Sequence, residues 1–588
     1  MQLREILAAN RLFDGLPPQA LDQLTQHCRL QALRGGSELL QPDSPVDALY
    51  LVASGRLRVH DAGGHLLAEI TAGESVGEIG LFARRAEGVS VRAARDCVLL
   101  RIDRDDFLAF AEAHPASLFQ IIDLIVHRLS RAQRTRTERR RGARVIAVVP
   151  AQPSIDVQGF VRQLSGALGR FGAVQQLDAA RVDADLGEGQ AQLPAEARTD
   201  ALIDYLNHLE TGLGHGRLIY CADADSSAWS RRCMRQSDCI VLLARADDPP
   251  VLTPMVADWQ AITGCAPTEL VLLREPSAGA GDVAAWYGRL GLLRLHHFVS
   301  PSRPPQALAR RLAGRALGLV LGGGGARGFA HIGLLRALDE LELPVDLTAG
   351  SSMGAFFGAQ VACGFDYRQV LEVTRETFVT RNYLNDYTLP RVSLIRGRKF
   401  LHRLQEVFGP RTIESLWKPF FCVTTNLTHG TACVHDRGPL ALWVGTSMAV
   451  PGVAPPVAWH GDLHADGAVI NSLPTDVLHA LACGPVIASD VSTRGAIAVP
   501  GIAGPAPEAL LHQNDAKDRI GLLDILFRTA TLTGEAGDAS RKALADCSLR
   551  MPVDEVGLFE WQRLDELAER GYRHALAELQ RNAVALGL

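Results

Sequence analysis

Residues 344–364 read "PVDLTAGSSMGAFFGAQVACG". A short apolar run is followed by a serine, Ser352, with a glycine two positions away on each side, and then by a helix start rich in Gly and Ala. Glycine costs about 1 kcal/mol per helix position relative to alanine, so its clustering here needs a reason. One reading is a tight turn that closes a buried βα unit. The other is a strained strand-to-helix turn that presents the Ser352 hydroxyl, where only glycine on either side clears the crowding. Gly354 and Gly358, with Ala355 and Ala359, recur every four residues and predict close packing of the helix on a sheet. The spacing alone is weak, because "GTSMA" at 445–449 comes close to it and lacks the second glycine.

Working outward, "LGLVLGGGGARGFAHIGLL" (317–335) repeats the pattern of an apolar strand, a glycine loop and a helix. Consecutive glycines leave backbone N–H groups free to face an anion, and the helix dipole adds positive potential. In acyl transfer that anion is the tetrahedral oxyanion. A rival reading uses the same residues: Gly323, Gly325 and Gly328 satisfy G-x-G-x-x-G, with Asp346 at a ribose-contact distance along the chain. A third element, "HADGAVINSLPTDVL" (464–478), places Asp466-Gly467 after an apolar approach. Asp-Gly is a common turn pair, and here it also delivers a carboxylate that could serve a weak serine nucleophile as base. His331, His402, His429, His435, His460 and His464 are the histidine alternatives in this region. Only His464, two residues from Asp466 on a strand, shares its face.

The 588-residue chain is 47% hydrophobic and 21% charged, with a formal net charge of −5. This predicts several globular domains and argues against a dedicated nucleic-acid binder. Eleven cysteines with no CxxC pair or zinc spacing point to a reducing compartment and no metal site. No apolar run reaches the roughly 18 residues of a membrane span, and the first residues lack the apolar core of a secretory signal. A soluble cytoplasmic protein is expected. Peripheral contact with an anionic membrane is a secondary reading of the run Arg128, Arg131, Arg134, Arg136, Arg139, Arg140, Arg141 and Arg144, whose plainer reading is a solvated helix end and linker.

Three segments follow from the patterning. Residues 1–130 alternate short β runs with turn signals, including a hairpin around Ala62-Gly63-Gly64. Residues 143–300 alternate the apolar strands "RVIAVVP", "GRLIYCAD", "SDCIVLLAR" and "TELVLLRE" with helical stretches, which predicts a mostly parallel sheet. Its first turn, "AQPSIDVQ", has no glycine to wrap a phosphate, so nucleotide binding is not expected. Residues 316–588 hold the three glycine-framed elements, with a core at 317–490 and a helical C-terminal extension. The Gly/Pro/Ala-rich stretch 494–511 reads as a surface loop or a lid.

Together the Gly323–Gly328 loop, the Gly350–Gly354 turn, the Asp466-Gly467-Ala468 acid and "SMAVPGVAPP" (447–456) resemble the patatin-like phospholipase family. With "LIYCADADSSAWSRRCMRQSDCIVLL" (218–243), and loosely with 561–579, they are similar to its neuropathy target esterase subgroup. The resemblance implies a three-layer α/β/α catalytic domain behind a Rossmann-like α/β domain. It implies hydrolysis of a lysophospholipid or phospholipid ester by a Ser352–Asp466 dyad without histidine, metal or cofactor. The amides of Gly323, Gly324, Gly325 and Met353 would hold the oxyanion, and Arg327 would assist or steer the lipid phosphate.

The amino-terminal segment resembles a cyclic-nucleotide-binding β-roll, with Gly77 and Glu78 in its phosphate cassette. The position that should carry the phosphate-binding arginine is Glu87, whose charge repels a phosphate. A regulatory or docking module is therefore expected in preference to a cyclic-nucleotide sensor. A catalytically silent scaffold on the same folds is the alternative to an enzyme.

Overall fold

The computed structural model describes residues 3–8, 10–13, 16–61, 66–78, 88–114, 142–194, 200–214, 216–262, 266–275, 281–291, 295–481, 483–492 and 537–586, with positions 279 and 529. Glu87, the tip of the 62–64 hairpin, the arginines 128–141 and the stretch 494–511 lie outside the described residues. The chain divides into two compact units, residues 1–278 with 285–309, and residues 310–588 with 279–284.

The first unit opens with two four-stranded antiparallel sheets. One runs in the order Cys28–Leu33, Cys97–Asp103, Ala48–Ser54, Ser75–Val76, and the other Glu38–Leu40, Val89–Ala93, Arg56–Asp61, Leu66–Thr71. The first sheet is covered on both faces: Tyr50 and Leu99 join Leu57 and Val91 of the second sheet in one apolar core, and Leu49, Leu51 and Leu100 pack with Leu7, Leu21 and Phe107 of the helices in the other. This is the β-roll of a cyclic-nucleotide-binding fold. Further along the same unit lies a six-stranded parallel sheet, in the order Val174–Leu177, Arg217–Cys221, Val145–Pro150, Cys239–Arg245, Thr268–Leu273, His296–Val299. The four apolar runs picked from the sequence form its centre. Its two edge strands, "VQQL" and "HHFV", are too short and too polar to announce themselves. Roll and parallel sheet are joined by ion pairs of Arg56 with Asp238, Arg95 with Glu210 and Arg235 with Asp96.

The second unit is built on one mixed sheet. Five strands run parallel, in the order Phe420–Asn426, Val345–Ser351, Leu317–Leu321, Val486–Asp490, Cys547–Arg550. The central strands are buried along their whole length and carry no alternation, as expected for a sheet covered on both faces. Helix Ala330–Glu340 crosses the C-terminal helix Leu564–Arg581 closely: a Cβ at Gly333 would stand 2.1 Å from the Ala568 carbonyl oxygen.

One piece of register positions the site. The first half of Phe420–Asn426 is flanked by Val345–Ser351, with Ser351 opposite Val423. Its second half pairs antiparallel with Asp462–Asp466, with Asp466 opposite Thr424. Thr431–His435 pairs with Cys422–Asn426, occupying the other edge. The strands ending at Ser351 and at Asp466 therefore meet end to end along the same edge of their shared neighbour.

Candidate active site

Ser352 follows the buried strand directly and adopts φ 54, ψ −125, after which helix Met353–Ala362 begins. A positive φ on a residue with a side chain costs on the order of 1–3 kcal/mol and persists only where the surroundings impose it. Here the flanking glycines make the turn possible. A Cβ at Gly350 would lie 2.3 Å from the Gly354 carbonyl oxygen, and one at Gly354 would lie 1.9 Å from that of Leu321. The Ser352 N–H donates to Ser447 Oγ at 2.9 Å, and the Ser447 hydroxyl donates onward to the Val423 carbonyl at 2.6 Å. Ser447 belongs to the "GTSMA" stretch that looked like a chance match, and its hydroxyl ties the turn to the neighbouring strand. Its partners lie far away in sequence, so no local signal could have shown this.

The Ser352 hydroxyl donates to Asp466 Oδ2 at 2.6 Å. Asp466 Oδ1 accepts the Ala468 N–H at 2.8 Å, and the Asp466 N–H donates to the Ala449 carbonyl at 2.9 Å. The carboxylate is buried and has no ion pair among the described residues. Burial pushes its pKa up to about 7, against the smaller opposing pull of the hydrogen bonds from Ser352 and Ala468. A carboxylate in this state is a far better proton acceptor at neutral pH than one in water.

The histidines stand elsewhere. His464 Nδ1 lies 3.2 Å from Thr424 Oγ1, which also meets His435 Nε2 at 2.7 Å, and His435 stacks on Trp443. Burial pushes the pKa of His435 down to about 3 and lowers that of His464. Among the described residues neither ring hydrogen-bonds Ser352 or Asp466.

The glycine loop lies against the serine. A Cβ at Gly323 would stand 3.0 Å from Ser352 Cβ and 3.1 Å from Ala468 Cβ, so a side chain there would press on both. The peptide between Gly322 and Gly323 is held at both ends. Its carbonyl meets His331 Nε2 at 3.0 Å, and its N–H donates to the Ser472 carbonyl at 3.0 Å. A carbonyl can only accept, so Nε2 carries the proton and Nδ1 accepts from the Ser489 hydroxyl at 2.8 Å. Burial pushes the pKa of His331 down to about 4, which keeps this tautomer uncharged. The Gly323 amide, expected to face an oxyanion, is thus committed to Ser472. The amides of Gly324, Gly325 and Met353 have no acceptor among the described residues. Arg327 is half-buried and donates from Nε to the Val556 carbonyl at 2.7 Å.

The dinucleotide alternative fails on Asp346. Arg310 grips both of its carboxylate oxygens, and Oδ2 also accepts the Leu317 N–H at 3.0 Å. In the first unit, Asp156 caps helix Val157–Leu168 by accepting the Gly159 N–H at 2.8 Å. A carboxylate stands where a phosphate would have to bind. In the roll, Gly77 takes φ 98 with room for no Cβ beneath the Ala48 carbonyl, and Glu78 is buried.

Three family models match, in chain order: a cyclic nucleotide-binding domain over 30–114, a neuropathy target esterase family P-loop like domain over 143–314, and a patatin-like phospholipase over 319–479. Fold and site thus define a patatin-like domain carried behind two others. The three matches together have the domain set of the neuropathy target esterase subgroup of that family, with an N-terminal cyclic-nucleotide-binding-like domain.

It is 29% identical to an uncharacterized NTE family protein of Mycobacterium tuberculosis, over 96% of this chain and 94% of that one. It is 28% identical to patatin-like phospholipase domain-containing protein 7 of Rattus norvegicus, over 93% of this chain and 45% of that one. To lysophospholipase NTE1 of Pyricularia oryzae it is 26% identical, over 93% of this chain and 42% of that one. The chain therefore spans less than half the length of the rat and fungal relatives. No helix among the described residues is long and apolar enough to cross a membrane.

Proposed function

We propose that the chain is a serine lipid acyl hydrolase acting on a lysophospholipid or phospholipid ester. The observation that carries this reading is the 2.6 Å hydrogen bond from the strained Ser352 hydroxyl to the buried, unneutralised Asp466 carboxylate. The lysophospholipase name of the fungal relative supports the substrate class.

Ser352 Oγ attacks the acyl carbonyl carbon while its proton passes to Asp466 Oδ2. The carbonyl oxygen becomes the oxyanion and takes hydrogen bonds from the free amides of Gly324, Gly325 and Met353. Gly323 contributes by packing its bare Cα on the serine. The start of helix Met353–Ala362 adds favourable potential at the same point. As the tetrahedral adduct collapses, the ester C–O bond breaks, and the leaving alkoxide takes the proton back from Asp466. Water then attacks the acyl-serine with Asp466 again as base, and the fatty acid leaves. A lost oxyanion donor costs about 3–4 kcal/mol in such sites, so the pinned glycine loop is as much part of the machinery as the dyad. The half-buried Arg327, anchored by one nitrogen to Val556, is the side chain we place toward the lipid phosphate.

The test is fatty-acid release from a panel of lysophospholipids and diacyl phospholipids. The parent chain is expected to hydrolyse at least one class, and Ser352→Ala to lose about a thousandfold or more. A fluorophosphonate should label the parent at Ser352. A parent that neither labels at Ser352 nor releases fatty acid would leave only a silent scaffold, and hydrolysis that survives Ser352→Ala would reject Ser352 as the nucleophile.

A further inference from the structure

Between Arg381 and Lys399 the catalytic unit carries a basic, apolar-tipped hairpin that the hydrolytic site does not use. Tyr387 and Ile395 form an antiparallel bridge, and the Thr388 N–H donates to the Leu394 carbonyl at 3.0 Å. At and beside the tip, Tyr387 is 72% exposed, Leu389 72% and Val392 67%. Single exposed apolar residues are ordinary on a protein surface. Three of the most exposed large apolar side chains in the described structure, within six residues of one turn, are not.

The base of the hairpin is held firmly. Ser393 and Ile395 are buried, Asp386 accepts from the backbone N–H groups of Gly397 and Lys399, and the Arg396 N–H donates to the Asp386 carbonyl at 2.9 Å. The apolar tip is therefore presented by a fixed scaffold.

The charge around it is predominantly positive. Residues 381–399 carry Arg381, Arg391, Arg396, Arg398 and Lys399 against Asp386 alone, in a chain whose formal net charge is −5. Arg381 pairs with Glu376, and Lys399 donates to Asn385. Arg391, Arg396 and Arg398 are exposed, and none has an ion pair among the described residues.

The hairpin also stands close to the site. The Leu394 and Ile395 N–H groups donate to the carbonyls of Gly452 and Val453, each at 3.0 Å. Gly452 is three residues, at most about 11 Å of chain, from Ala449, whose carbonyl holds the Asp466 backbone.

We propose that this hairpin docks the catalytic unit on an anionic phospholipid bilayer, with Tyr387, Leu389 and Val392 entering the interface and the unpaired arginines meeting the headgroups. Apolar side chains ringed by basic ones are what such a surface binds. The choice of occupant rests on the lipid-hydrolase reading, and the pinning to the 449–453 segment places the docked surface beside the strand end that carries Asp466.

The experiment is vesicle co-sedimentation of the full chain as Ser352→Ala, so that no hydrolysis alters the lipid. Vesicles of phosphatidylcholine are compared with vesicles mixed at about two to one with phosphatidylglycerol. The chain is expected to bind the mixed vesicles, more weakly as salt rises. Adding Leu389→Asp and Val392→Asp should weaken binding at least tenfold. Arg391→Ser and Arg396→Ser should each cost about fivefold on mixed vesicles only. Val251→Asp, at an exposed position of the first unit, should bind like the parent. All four hairpin substitutions lie on the surface, and an unchanged melting temperature checks that they fold.

Binding indifferent to the hairpin substitutions overturns the proposal, and so does a parent that binds neither vesicle. Hydrolysis of a water-soluble ester by the chain with Ser352 intact is assayed in parallel. Hydrolysis without hairpin-dependent binding rejects the docking surface and keeps the hydrolase. Hairpin-dependent binding without hydrolysis does the reverse.

Discussion

The two ends of one strand, Val345–Ser351, treat a buried aspartate in opposite ways. At its start, Asp346 is gripped by the Arg310 guanidinium and by the Leu317 N–H. At its end, Ser352 meets Asp466, more deeply buried still, whose hydrogen bonds come from one hydroxyl and one amide, with no cation beside it among the described residues. A buried charge that is paired and fully hydrogen-bonded holds structure, whereas one left uncompensated raises its own proton affinity. The same sheet thus spends one aspartate on fixing its strand and keeps the other ready to take a proton. Perturbed groups of the second kind cluster at functional sites, and here the perturbation coincides with a strained hydroxyl.

The comparison is broken most severely by changing Asp466 itself and then the support of Asp346. Asp466→Asn is expected to reduce ester hydrolysis by about a thousandfold or more, yet to make the chain more stable at pH 8. The sign follows from the raised pKa. In the folded chain the acid form is favoured up to about 7, against 3.8 ordinarily, so stability is full at low pH and is lost as pH rises toward 7. Removing the charge recovers roughly 2–4 kcal/mol at pH 8 and nothing below pH 4, read from urea unfolding at the two pH values.

Arg310→Ala should do the opposite. It strands Asp346 and costs about 3 kcal/mol of stability, while the folded fraction keeps its turnover number. Equal stability changes of the same sign in the two variants would erase the distinction.

A smaller effect sharpens it. In the proposed mechanism His331 acts at one remove from the chemistry, holding the Gly322 carbonyl at the entrance to the glycine loop. His331→Ala is expected to lower kcat about tenfold to a hundredfold with KM nearly unchanged, because the support matters for the transition state and not for binding. His331→Gln, which can still donate to that carbonyl, should restore part of the rate. Loss through KM alone, or through melting temperature alone, would make the residue a packing element only.

Much of the catalytic unit was legible because its signals are local. The strand, glycine loop and helix at 317–335 and the turn at 350–354 each fit within about twenty residues, and glycine at 350 and 354 is demanded by contacts within the turn and with the adjoining strand. Asp466 was one candidate base in the sequence, and the resemblance singled it out, since a lone Asp-Gly pair says turn.

What brings it to Ser352 is register, the end-to-end meeting of two strands along Phe420–Asn426, and no local pattern encodes that. For the same reason nothing in the sequence assigns Ser447 a role, and His331 is left as one of six histidines. Their partners, Ser352, Val423 and Ser489, are distant in sequence. The commitment of the Gly323 amide to Ser472 was hidden likewise. A run of four glycines shows which amides are free of side-chain crowding but not which are already bonded.

The claim on which the rest depends is that Asp466 is a buried base titrating near neutrality and acting on Ser352. It is tested most directly by the rate of fluorophosphonate labelling of the parent chain as a function of pH, which needs no knowledge of the natural substrate. The expected curve rises about tenfold per pH unit below a midpoint near 7 and is flat above it, with the slope abolished in Asp466→Asn. A rate independent of pH from 5 to 9, or a midpoint near 4, would contradict it.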